Sequence, residues 1–142
     1  MRVLIAVDDS PESRHAVELA SRWFGEEAEY GIISVGEQTP MFIGGYGAGA
    51  MATVTDLEQQ LDAARSAAEQ AATGAARVLD GVVQTDVEGG HPGTVICEFA
   101  AEHESDVIVI GSHERSFWDR IIDPSVGEHL IDHAPCPVLV VR

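Results

Sequence analysis

Val107-Ile-Val-Ile110 runs directly into Gly111-Ser-His-Glu-Arg-Ser-Phe-Trp-Asp-Arg-Ile-Ile-Asp-Pro-Ser125, and the reading of this stretch decides the fold. An apolar run of strand length ends in Gly-Ser, crosses a loop and reaches a Ser-headed helix. In α/β proteins such a junction holds phosphate. Backbone N–H groups at a helix start attract anions, and glycine lets the backbone approach them. Glu114 and Pro124 stand where a phosphate cradle favours glycine.

Upstream, Arg2–Val7 is a continuous apolar run, the mark of a strand covered on both faces. Ser10 is a good N-cap and Pro11 suits the first helical position. The helix they open is expected to reach about Phe24, with Ala16, Val17, Ala20, Trp23 and Phe24 on one side. Tyr30–Val35 reads as a second strand. Gly36 to Ala52, with Ile43-Gly-Gly-Tyr-Gly-Ala-Gly-Ala50, can form no stable helix or strand; it reads as a mobile surface loop or a ligand lid. Thr55-Asp-Leu-Glu58 is a capping box. It heads a helix to about Leu79 with an apolar stripe at Leu57, Leu61, Ala64, Ala68, Ala71, Ala75 and Leu79.

Val82–Val87 is expected as the third strand. After the turn Glu88-Gly-Gly-His-Pro-Gly93, Pro92 starts a helix to about His103. Val107–Ile110 is the fourth strand. Ser125-Val-Gly-Glu128 is a capping box on a short helix that Ala134-Pro-Cys-Pro137 stops, and Val138–Val141 is the last strand. The order β-α-β-α-β-α-β-α-β with continuous apolar strands predicts an α/β fold: an open parallel sheet with helices on both faces. At 142 residues, without internal repeats, the chain reads as a single domain over 1–142.

The 45% apolar content supports a real core, and no apolar run approaches the length of a membrane span. Met1-Arg-Val-Leu-Ile-Ala-Val enters a strand without a cleavable leader, so a cytoplasmic location is expected. The formal charge of −16 argues against nucleic acid and anionic membrane as partners, since both need a basic patch. All 8 basic residues are arginine, and lysine and asparagine are absent, which fits a GC-rich genome or a halophilic source. Cys97 and Cys136 have no CxxC spacing and read as buried small hydrophobes in a reducing compartment.

Ligands of open parallel sheets bind beyond the C-terminal strand ends, where the strand order reverses. Asp8-Asp9-Ser10 and Gly111–Arg115 are therefore the leading segments, with Val35 and Gly90 to Pro92 able to line the same rim. Val-Leu-Ile-Ala-Val-Asp-Asp also resembles the opening of a response-regulator receiver domain, whose acidic pair binds Mg²⁺. That family needs a lysine near its last strand, and this chain has none.

The fuller resemblance is to the universal stress protein (UspA-like) family, and it covers almost the whole chain. It is carried by Leu4-Ile-Ala-Val-Asp8 with Ser10, Gly90-His-Pro92, Glu102-His-Glu-Ser-Asp106-Val-Ile-Val-Ile-Gly111-Ser112, and His133-Ala-Pro-Cys-Pro-Val-Leu-Val-Val141. The resemblance implies an adenine nucleotide alpha hydrolase-like, five-stranded parallel sheet in the order 3-2-1-4-5. It also implies a homodimer through the C-terminal strand Val138–Val141, which fits a short apolar strand whose edge needs cover.

ATP-binding members of that family carry Gly-x2-Gly-x9-Gly-Ser/Thr after the fourth strand. In this register Gly111 and Ser125 match, and Glu114 and Pro124 replace the two inner glycines. Like charges ~4 Å apart cost ~1 kcal/mol in water and several times that at a partly buried site. Pro124 has no N–H, and a lost charge-assisted bond to phosphate costs ~1.5–3 kcal/mol. Mg²⁺ or Arg115 would offset part of this. The expected site is thus a degraded nucleotide site: Asp8, Ser10, Val35, Gly90, Pro92, Gly111, Ser112, His113, Glu114, Arg115, Ser125 and Val126. ATP is at most a weak ligand there, and no cofactor is firmly implied.

Two of these residues have structural readings as well. Asp8 matches the family's adenine or ribose contact, yet a carboxylate there also caps the first helix region. Ser125 with Glu128 caps a helix whether or not phosphate is bound. His129 and His133 have metal-compatible i,i+4 spacing but no third ligand in sequence, so no metal is expected. His113-Glu114 beside Asp9 offers acid–base groups without a nucleophile, so no enzyme is expected beyond a weak ATPase. Phe117 and Trp118 read as packing or lid residues, or as a partner-binding patch.

Overall fold

The computed structural model describes residues 1–36, 54–79, 83–111 and 126–142. Its elements are β1 (Arg2–Ala6), α1 (Pro11–Phe24), β2 (Glu29–Gly36), α2 (Val54–Ala76), β3 (Val83–Gly89), α3 (Pro92–Glu102), β4 (Val107–Gly111), α4 (Val126–His133) and β5 (Val138–Val141). The five strands form one sheet in the order β3-β2-β1-β4-β5. Every neighbouring pair is parallel, with Leu4 opposite both Gly31 and Ile108.

Side chains alternate across a strand, so the apolar run of β1 supplies two cores. Val3, Ile5 and Val7 join Ala16, Val17 and Ala20 of α1, Ala72 and Ala75 of α2, and Tyr30, Ile32 and Val109 on one face. Leu4 joins Ile33, Ile108 and Ile110 with Ile96, Phe99 and Ala100 of α3 and Leu130 of α4 on the other. Leu4, Ile5, Ile32, Ile33, Ile96, Ile108 and Leu130 are all fully buried. Each contributes about 1.5–3 kcal/mol relative to an exposed position.

Local signals account for most boundaries. The Ser10 hydroxyl accepts from the Ser13 N–H and Pro11 opens α1, while Gly25, at φ 68°, ends it. Pro92 opens α3. α4 ends ahead of Pro135 and Pro137, as two helix-breaking residues require.

Some expectations need correction. Trp23 is 57% exposed, whereas Ser13, Ala16, Val17 and Ala20 carry the buried stripe of α1. At 3.6 residues per turn Trp23 lies only about 20° around the helix from buried Ala16, so its exposure goes with its place in the last turn of α1. α2 begins at Val54, which puts Thr55 inside the first turn and not ahead of it as a cap. Its buried stripe includes Ala72 beside Ala68 and Ala75, and Leu79 is buried just beyond the helix end. β3 continues to Gly89, two residues past the expected Val87. The glycine-rich segment after Gly36 lies outside the described residues.

Candidate functional site

From β1 the chain builds β2 and β3 on one side, then returns to place β4 and β5 on the other. The strand order therefore reverses between β1 and β4, which is where a crevice opens beyond the strand ends. Asp8 follows β1, Val35 is the penultimate residue of β2, Gly90 follows β3 and Gly111 ends β4, so the four expected rim positions share the C-terminal end of the sheet.

Asp8 is held by its own turn. Its Oδ1 accepts from the Ser10 N–H at 3.0 Å and also from the Ser10 hydroxyl. Its backbone N–H donates to Ser13 Oγ at 3.1 Å, and the Ser13 N–H donates to Ser10 Oγ at 3.1 Å. A carboxylate accepting from a backbone N–H two residues on is an Asx-type turn, which aims the chain into α1. Asp8 thus braces Ser10, which is the residue that caps α1. Just before it, the Val7 N–H donates to the Ile33 carbonyl at 2.9 Å, and the Ser34 hydroxyl donates to the Val7 carbonyl at 2.9 Å.

Gly111 is needed for packing. A Cβ on it would lie 2.7 Å from both the carbonyl carbon and oxygen of Glu12, and 2.9 Å from the Ser13 nitrogen. Only a residue without a side chain lets β4 end beneath the first turn of α1. Gly90 is required for another reason: its φ of 142° lies in a region that side-chain-bearing residues avoid. Pro92 is buried at the head of α3. Val35 and Val126 are half-buried against the core under α3 and α4. Ser112, His113, Glu114, Arg115 and Ser125 lie outside the described residues, as do Phe117, Trp118 and Pro124.

Sequence reasoning missed Ser13 and Ser34, the buried polar residues that hold the β1–α1 junction, at 4% and 2% exposure. The signal was available for Ser13, which sits in phase with Ala16, Val17 and Ala20. Also missed was Gly93, where a Cβ would lie 2.9 Å from the Cβ, Cγ and Cδ2 of His129. That glycine lets α4 lie against α3.

His129 and His133 stack at 4.3 Å between ring centroids, and the His133 Nδ1 lies 3.0 Å from the His129 carbonyl. Donation to that carbonyl assigns the Nδ1–H tautomer. His91 approaches His129 at 5.6 Å. Among the described residues no three His, Cys, Asp or Glu side chains are placed to hold a metal ion. Cys97 is buried and Cys136 half-buried, both as free thiols. Burial pushes both thiol pKa values up, reinforced by the other thiol and Glu98 at Cys97 and by Asp106 at Cys136. Both are poor nucleophiles, since the thiolate is the reactive form.

The family model for the universal stress protein family matches residues 1–142. The chain belongs to that family. Universal stress protein MJ0531 of Methanocaldococcus jannaschii is 29% identical over 147 residues, covering 99% of this chain and 81% of that protein. Among solved structures, the universal stress protein UspA from Lactobacillus plantarum superimposes with a TM-score of 0.68 at 26% identity, covering 100% of this chain and 97% of that one. A universal stress protein family protein from Arabidopsis thaliana, solved with AMP bound, matches with a TM-score of 0.60 over 99% of this chain and 90% of its own. At 17% identity that likeness is one of fold. Among the described residues of this universal stress protein no helix is long and apolar enough to cross a membrane.

Proposed function

We propose that this universal stress protein is a dimeric stress-response binding or regulatory protein that lacks tight ATP binding. Its site is the β1/β4 crevice, with Asp8, Ser10, Val35, Gly90 and Pro92 toward the nucleoside and Gly111 to Arg115, Ser125 and Val126 toward phosphate. Asp8 keeps its second carboxylate oxygen for an adenine or ribose donor while Oδ1 holds the turn. The observation that carries the reading is the pair Glu114 and Pro124 in place of two glycines. Their combined cost, roughly 3–4 kcal/mol, weakens triphosphate binding by two to three orders of magnitude. Calorimetric titration with ATP–Mg²⁺ is expected to give an affinity near ~1 mM or no heat. Micromolar affinity would overturn the reading.

The role is binding without catalysis. The dimer forms by pairing of the β5 edges of two copies. Support comes from the position of β5 at the sheet edge, with β4 on one side and Val140 42% exposed.

A second reading is an ATP- or AMP-binding switch with a modified phosphate loop and slow hydrolysis. The AMP-bound relative favours it, as does Arg115 beside Glu114, which supplies a counter-charge. Nucleotide released from freshly purified protein on denaturation would support it. Absence of nucleotide, with no thermal shift at millimolar ATP or AMP, would remove it.

A further inference from the structure

At the opposite end of the sheet, on the α3 side, lies a cavity of about 240 Å³ lined by Arg2, Leu4, Glu29, Gly31, Phe99 and His103, among others. Its existence depends on Gly31. That glycine lies inside β2, and its φ does not demand glycine. A Cβ there would meet only side chains, Leu4 Cδ1 at 3.3 Å and Phe99 Cε1 at 3.9 Å. A strand-interior glycine weakens the strand and often marks a place where something else comes close. Here no other backbone does.

One wall is aromatic. Phe99 and His103 stack at 3.8 Å with a 17° tilt, and the His103 Nδ1 lies 3.0 Å from the Phe99 carbonyl. Donation to that carbonyl locks the ring in place and leaves Nε2 as the acceptor. The mouth carries charged groups that Arg2 ties together. The Arg2 guanidinium donates to Glu104 at 2.7 Å and to the His103 carbonyl at 3.2 Å. Asp106 accepts the Arg2 backbone N–H at 2.7 Å. Glu29 forms a looser ion pair with the Arg2 Nε at 3.6 Å, and its exposed carboxylate has further acceptor sites for a ligand.

We propose that this cavity is a second ligand site, taking a flat aromatic cation of one or two rings. The ring slides over Gly31 against the Phe99–His103 wall, and its cationic donor meets Glu29. The size agrees: an apolar cavity of ~150 Å³ accepts benzene, so this one has room for a ring with a substituent. Charge agrees too, since Glu29 is the carboxylate on the lining and meets a cation rather than an anion.

The test is an amide-resolved NMR titration with benzamidine, with benzoate as the anionic control of the same shape. The expected result is saturable shifts confined to residues 2–4, 29–31 and 99–105, absent with benzoate and weakened at least tenfold by the surface change Glu29→Gln. Gly31→Val, which fills the cavity, is expected to abolish binding; if that variant does not fold, Glu29→Gln alone decides. Equal binding of benzoate, shifts centred on Asp8 and Gly111, or weak non-saturating shifts spread over the acidic surface would each overturn the proposal.

Discussion

A Cβ on Gly111 would sit 2.7 Å from the Glu12 carbonyl, so the strand that delivers the loop and the helix that faces it touch backbone to backbone. The glycine expected from sequence to cradle phosphate is committed to this contact whether or not a ligand is present. Gly111→Ala is therefore predicted to destabilise the fold by about 1–3 kcal/mol, the usual cost of overpacking. Urea denaturation of ligand-free protein measures it. A loss under about 0.5 kcal/mol would mean that α1 shifts to admit the methyl.

Asp8 joins a structural and a proposed binding role, and the two can be separated. Asn at this position retains an oxygen able to accept both bonds from Ser10 but loses the charge. Asp8→Asn should leave the melting temperature nearly unchanged while weakening adenosine or AMP binding by tenfold or more in calorimetry. Ser10→Ala, by contrast, should cost about 1 kcal/mol through loss of the α1 cap. A large stability loss in Asp8→Asn would show that the charge itself holds the turn.

The contact between α3 and α4 makes a prediction about coupling. Gly93→Ala places a methyl 2.9 Å from His129 and should destabilise by about 1–3 kcal/mol. The double variant Gly93→Ala/His129→Ala should recover part of that loss, because truncation removes the Cγ and Cδ2 atoms that collide. Additive losses in the double-mutant cycle would mean that the ring atoms do not carry the strain.

The buried thiols make a prediction about stability at alkaline pH. In the folded state burial raises the Cys97 and Cys136 pKa values, so the unfolded chain loses these protons first as pH rises. Between the unfolded and folded values the native state binds more protons, and stability falls with increasing pH. Full stability is expected below the unfolded thiol pKa of about 8.5, with a decline above it. Thermal melts from neutral to alkaline pH check the direction, and Cys97→Ala/Cys136→Ala should flatten the early part of the decline. A decline unchanged in that variant would assign it to other groups, such as Tyr30, whose hydroxyl burial also pushes up.

The edge strand predicts the assembly. Val140 is 42% exposed on β5, and a lysine there is the kind of residue that discourages strand pairing. Val140→Lys should convert a dimer to a monomer in sedimentation velocity without changing the circular dichroism spectrum. A monomeric wild type, or an unaltered dimer in the variant, would count against pairing through β5.

The chain by itself determined the layered architecture, because every signal involved is local. Arg2–Val7, apolar at successive positions, has to be covered on both faces, and Ser10-Pro11, Pro92 and Pro135 start or stop helices through their own geometry. It also carries Glu114 and Pro124, and with them the reading of a weakened phosphate end. Only the tertiary structure decided what depends on a neighbour distant in sequence. Trp23 has the same apolarity as its helix neighbours, but its place in the last turn of α1 leaves it exposed. Ser34 looks like an ordinary serine until packing buries it, whereas Ser13 already shares the phase of the buried α1 stripe. Gly111 reads from sequence as a ligand residue, and the fold gives it a packing role as well, with Glu12, ninety-nine positions earlier, against it. A sequence specifies which side chain stands at a position; what stands opposite, and hence whether a glycine admits a phosphate or a helix, is settled by the chain folding back on itself.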